Sequence, residues 1–257
     1  MSNINFSIFQ PRPLKILMVL LVICNTLFSQ DKVEKETVEI PEPLMFDLVR
    51  GLGAKQGELE INALADLPLN DGPVRGVEWA PEIEYALFDG FAVELEFPMH
   101  DFELEAYKLA FQWTMGASKN NKFIHGIQVI GEQYIHDDIL ELNFLYVPAY
   151  RFNEVWSTIG LFGVMLESGA DSPEKDYTIL LNASVFANLN KHMVVGLEMN
   201  NTDPTFQKVD SNEMELLILP QMHYEWENGF SFQFGAGSSF YKGNADFSAV
   251  MRVIKTF

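Results

Sequence analysis

Residues 76–87 run Gly76-Val77-Glu78-Trp79-Ala80-Pro81-Glu82-Ile83-Glu84-Tyr85-Ala86-Leu87. In an extended chain Val77, Trp79, Pro81, Ile83, Tyr85 and Leu87 share one side, while Glu78, Ala80, Glu82, Glu84 and Ala86 share the other. Successive side chains of a strand point to opposite faces, so the stretch predicts a strand with one apolar face and one face of carboxylates. Asp89-Gly90 then supplies turn chemistry. The pattern resumes beyond it, with Phe91, Val93, Leu95 and Phe97 against Ala92, Glu94 and Glu96.

Outward from this hairpin, the same two-residue period marks about twelve segments: 58–67, 76–87, 91–98, 104–115, 123–133, 139–152, 155–166, 177–188, 192–200, 214–226, 230–240 and 246–257. Most have about the nine to eleven residues that a tilted strand needs to cross a bilayer. Alternate connections are short: Asp89-Gly90, Asn153-Glu154, Asn188 to Lys191 and Glu227-Asn228-Gly229, with Gly116 to Lys122 a longer exception. Those between them, such as Glu167 to Asp176 and Asn200 to Glu213, are longer and acidic. Short turns on one side and long loops on the other are the pattern of outer-membrane barrels.

Aromatic residues flank the short turns: Phe88 and Phe91, Phe152 and Trp156, and Tyr224, Trp226 and Phe230. Amphipathic rings at strand ends suit a headgroup interface, here a periplasmic girdle. Rings at the corner of a soluble sandwich would look alike. The chain end favours the membrane. Phe247, Ala249, Met251, Val253 and Phe257 alternate with Ser248, Val250, Arg252, Ile254 and Thr256, and the terminal Phe257 is the expected signal for the barrel-assembly machinery. Lys255 interrupts the apolar face but lies where a long side chain can snorkel. A sheet in lipid cannot leave edge amides unpaired, so the first strand must meet the last. Two features fit less well: Ile159, Leu161 and Met165 occupy a face that should be polar, and His125 falls on the lipid face. Ten to fourteen strands are therefore allowed.

Apolar residues make up 48% of the 257, yet mean hydropathy is only +0.03, as dispersed apolar positions require. The one long apolar run, Ile16 to Ile23, follows Arg12 and Lys15 and precedes Ser29 and Gln30. It predicts a cleaved signal peptide over 1–30, the alternative being a retained anchor. Cys24, the single cysteine, lies in that leader, so neither a disulfide framework nor a Cys-based metal site is expected. Ile23 before it is too large for a lipoprotein cleavage box. Removing the leader leaves 15 Lys and Arg against 36 Asp and Glu, a net charge of −21, which excludes nucleic acid as a partner by bulk charge.

Residues 31–43 are charged and hold two prolines, as an exposed linker would. Leu44, Leu48, Val49 and Leu52 then mark one face of a short helix ended by Gly51 and Gly53. The expected organisation is a signal peptide, 1–30; a periplasmic linker and short helix, 31–57; and an all-β antiparallel transmembrane barrel, 58–257. With twelve strands both termini are periplasmic.

Glu42-Pro43-Leu44 with Asp47-Leu48-Val49-Arg50, then Leu52-Gly53-Ala54-Lys55-Gln56-Gly57-Glu58, resembles the start of the HAEPLYID family of outer-membrane proteins, typical of Bacteroidota. Glu42, Pro43, Leu44 and Asp47 match the motif that names the family; Ile40, Pro41, Met45 and Phe46 depart from it. The barrel is similar to the wider group labelled transporters of the MetA-pathway of phenol degradation type. The resemblance implies an outer-membrane transporter or channel and carries no substrate.

The polar face collects Glu60, Glu78, Glu82, Glu84, Glu94, Glu96, Glu141, Glu198, Glu215 and Glu225, with Lys108, Gln112, Gln128, Gln221, Gln233, His223 and Arg252. Carboxylate rings in a pore favour cations. The same residues would also serve as filler in a narrow barrel. The helix near Leu44 either plugs the periplasmic mouth or lies beneath it. His136-Asp137-Asp138 with Glu132 could bind calcium or activate water at the rim, or form an ordinary acidic loop. No nucleophile elbow, zinc helix or phosphate loop is present, so no enzyme and no cofactor are expected. Three functions follow: a channel for small hydrophobic or cationic solutes, a non-conducting barrel binding a partner or divalent cations, and a rim-sited hydrolase.

Overall fold

A computed structural model describes residues 38–46, 48–70, 76–172, 177–201, 216–241 and 244–257. The leader, most of the expected linker, Asp47 and Glu215 lie outside these residues. The strands are β1 (Leu59–Pro68), β2 (Glu78–Phe88), β3 (Phe91–Glu96), β4 (Met99–His100), β5 (Glu103–Leu104), β6 (Ala106–Ala117), β7 (Phe123–Tyr134), β8 (Leu140–Arg151), β9 (Trp156–Ser168), β10 (Tyr177–Asn188), β11 (Met193–Asn200), β12 (Leu216–Glu225), β13 (Phe230–Tyr241) and β14 (Asn244–Thr256). All twelve expected strands form. The two-residue strands β4 and β5 are an added hairpin on β2, turned at Asp101 with φ 54° and held by Val77 N–H donating to Asp101 Oδ1 at 2.9 Å.

Each long strand pairs antiparallel with the next long strand in the chain, β3 with β6 across the β4–β5 hairpin, and β1 pairs with both β2 and β14, from Glu60 opposite Thr256 to Pro68 opposite Ser248. The sheet therefore closes into a twelve-stranded barrel with no free edge, as lipid demands. Outward side chains such as Ile61, Ile83, Leu95, Leu109 and Phe111 are exposed, while alternate residues are buried inside. At the short-turn rim Lys255 Nζ lies 5.0 Å over the rings of both Phe230 and Phe257, and Phe257 N–H donates to Leu59 O. His125 does face outward, stacked on Phe123 at 5.3 Å and edge-on to Tyr146.

The segment before β1 departs from expectation. Leu44 to Phe46 and Leu48 to Leu52 form bends and a turn instead of a helix, and they are buried or half-buried, whereas Glu39, Lys55, Gln56 and Gly57 are exposed. Leu44, Phe46 and Val49 are wholly buried inside the barrel. The reason is competition for backbone hydrogen bonds. A helix satisfies its own N–H groups, but here Glu198 of β11 accepts from Leu44, Met45 and Phe46, and Gln128 of β7 accepts from Val49.

Candidate functional site

The lumen has two chemically different walls. On β1, β2 and β3 the inward positions carry carboxylates, and on the neighbouring β6 they carry Lys108 and Gln112. Register sets Glu84 opposite both Glu60 and Glu94, and Glu82 opposite Glu96. Like charges directly opposite across strands destabilise a sheet, so cations must sit among them. Lys108 bonds Glu96 and lies 3.9 Å from Glu94. Arg50, from the inserted segment, bonds Glu60 and reaches Glu58 at 3.3 Å and Glu84 at 3.8 Å. Among the described residues, Glu82, Glu94 and Glu96 hold carboxylate oxygens within 4.8 Å of one another, the spacing a divalent cation would use. Glu132 and Glu141 continue the belt, for Glu132 pairs with Lys108 on one side and Glu141 on the other.

Most of the other buried side chains on β7 to β10 form an apolar wall, Ile124, Ile130, Leu145, Val147, Ile159, Leu161, Met165, Leu180 and Phe186, with Gln128, Asn143, Asn182 and Ser184 set among them. Ile159, Leu161 and Met165, which spoil the expected polar face of β9, are this wall. They cluster with Phe46, Leu48, Val49 and Leu52 of the inserted segment. Leu44 and Met45 pack on Leu64, Leu217, Leu219 and Val250 of β1, β12 and β14. The segment thus bridges the lumen from wall to wall.

Its path has two limbs. Arg151, at the short-turn end of β8, donates to Glu39 O where the first limb enters. The apex, Leu44 to Phe46, sits on Glu198. The second limb descends past Arg50, whose carbonyl accepts from Gln112, to Gly53, which donates to Thr114 Oγ1 at 2.9 Å. Gly90 N–H, in the β2–β3 turn at φ 78°, donates to Ala54 O at 2.7 Å and ties the exit to the rim. Between the limbs lies Glu42, whose carboxyl is raised above its ordinary 4.5 by burial and by Glu60, partly offset by Arg50 and Arg252.

Of the expected lining residues, Glu82, Glu84, Glu94, Glu96, Lys108, Glu141, Glu198 and Arg252 are buried inside. Glu78 is half-buried, and Glu225, the last residue of β12, is exposed at the rim. Glu132, expected at the rim beside His136, is instead buried in the belt. Asp138 ties two loops together, taking Ala170 N–H at 3.1 Å and donating from its own N–H to Asp171. The inward amides Asn62, Asn143, Asn182 and Asn200 escaped the sequence reading, although strand parity marks them as it marks the glutamates.

A closed twelve-stranded barrel, apolar outside and polar within, defines a porin-like outer-membrane β-barrel. The chain belongs to the HAEPLYID-like family, which matches residues 36–256 and so takes in the inserted segment and the barrel together. Its fold is similar to the KdgM porin (TM-score 0.58, 11% identity, covering 77% of this chain and 99% of that one). It is also similar to the COG4313 outer membrane channel from Pseudomonas putida F1 (TM-score 0.57, 12% identity, 88% and 100%) and the NanC porin (TM-score 0.54, 6% identity, 77% and 98%). No curated protein matches the chain.

Proposed function

We propose that the protein is an outer-membrane channel for small solutes, selective for cations and closed by its own N-terminal segment, with the short-turn rim and both chain ends in the periplasm. One observation carries this: the lumen admits two passes of main chain. A smaller barrel is filled by its side chains. Here they leave room for a polypeptide loop, and that room becomes a pore when the loop withdraws. The carboxylate belt beside it supports preference for cations.

The test is planar-bilayer conductance of the mature protein and of a variant lacking residues 38–50. The variant is expected to conduct steadily with cation preference, and Glu→Gln changes at Glu78, Glu82, Glu94 and Glu96 to reduce that preference. The intact protein is expected to be mostly silent. The wall-to-wall anchoring of the segment also favours a second reading, a non-conducting barrel that binds a partner at its loops. A folded but silent deletion variant would end the first reading.

A further inference from the structure

We propose that Glu198 and its surroundings form a binding site for a short apolar peptide with a free amino terminus, and that the Leu44–Phe46 apex occupies this site as a built-in stand-in. The inference rests on the channel reading in one respect, that the segment can leave the lumen.

Glu198 is wholly buried and takes five N–H donors. Two belong to the wall: Asn200 Nδ2 at 2.8 Å and Gln221 Nε2 at 2.9 Å. The other three come from the apex: Leu44 N at 2.9 Å, Phe46 N at 2.6 Å, and Met45 N shared between both oxygens at 3.2 and 3.1 Å. If the apex withdrew, the carboxylate would lose three donors, which water or a ligand must then supply. A primary ammonium carries three N–H donors and a compensating charge.

Beside the carboxylate, the wall offers polar atoms that the apex does not use. Ser184 lies opposite Glu198 in the β10–β11 register, and Asn182 and Asn200 lie one step beyond the Ala183–Met199 pair on the same strands. All three are buried, and among the described residues Asn182 Nδ2, Ser184 Oγ and Asn200 Oδ1 have no hydrogen-bond partner. An idle amide donor and an idle amide acceptor on adjacent strands match the C=O and N–H of a peptide group. Orphaned buried polar groups are uncommon enough to need an occupant.

The flanks are apolar. Leu44 packs among Leu64, Leu217, Leu219 and Val250, and Gly235 leaves it room, since a Cβ there would stand 3.0 Å from Leu44 Cδ2. Phe46 joins the cluster of Leu161, Leu180 and Phe186. The site therefore reads an ammonium, a peptide group and bulky apolar side chains. The chain's own apex meets the last of these and imitates the first with three backbone N–H groups.

Isothermal titration of the refolded mature protein with Leu-Phe-amide, and with its N-acetylated form, tests this. The free amine is expected to bind about tenfold or more tightly than the acetylated peptide, the scale of losing charge-assisted bonds. Deleting residues 38–50 should tighten amine binding further by removing the competitor, and Glu198→Gln should abolish the difference between the two peptides. Equal binding of the two peptides, or a deletion variant that binds no more tightly, overturns the proposal, and neither result depends on the Glu198 variant folding. Bilayer conductance separates the two readings: a deletion variant that conducts yet ignores the amine removes this site alone, whereas amine binding without conductance removes the channel and leaves the site standing.

Discussion

Arg50 is the residue on which the inserted segment and the carboxylate wall meet. One guanidinium faces Glu58, Glu60 and Glu84, and its burial is tolerable because those partners are close. Glu42, a neighbour in the same segment, behaves oppositely. Its raised carboxyl means that the docked segment holds the proton more tightly than the free one. Docking is therefore strongest below the ordinary value of 4.5 and weakens as pH rises through the raised one. A nitroxide on a cysteine at exposed Glu39 should report greater mobility as pH rises across that window, and Glu42→Gln should flatten the response. A mobility that increases toward low pH would reverse the assignment. The sign was out of reach of the sequence, because nothing in the residues near 42 foretells Glu60 as a neighbour.

At the scale of the element, β9 carries two opposite jobs on its two faces. Leu161 points inward to the segment and is wholly buried, while the next residue, Phe162, is exposed on the outer face. Leu161→Ser should loosen the segment by about 2–5 kcal/mol, as large-to-small changes in packed interiors do, and leave insertion intact. Phe162→Ser should leave the segment docked and weaken insertion into lipid. Limited proteolysis of residues 38–50 and the yield of folded barrel read the two effects separately; equal effects on both assays would count against the two-faced assignment. The strands themselves were legible, because a period of two survives in any sheet with unlike media on its faces. Ile159, Leu161 and Met165 looked like errors in that period only because the lumen was assumed to be uniformly polar. Leu44, Leu48, Val49 and Leu52 had helical spacing, but tertiary acceptors on Glu198 and Gln128 overrode it. Such acceptors come from strands far along the chain, so no local pattern could announce them.

For the whole molecule, closure between β1 and β14 decides where the segment can go. The barrel has no edge through which a chain could slip sideways in this state, so withdrawal runs along the axis toward the short-turn rim, where Glu39 and Ala54 are tied. The carboxylate belt and the apolar wall stay in place as it moves, since their register belongs to the sheet. The segment is also joined to β1 through Lys55, Gln56 and Gly57, the first two exposed and the third with open space around it. That covalent join makes reclosure a unimolecular event, with an effective concentration on the order of millimolar for so short a tether. A competing solute must exceed that local concentration, weighted by its own affinity, before the lumen stays vacant. Cutting the chain at an inserted protease site beside Gln56 should turn the occupant into an ordinary dissociable peptide. Conductance would then rise on dilution and fall again when the peptide is added back; an unchanged current after complete cleavage would show that the tether contributes nothing.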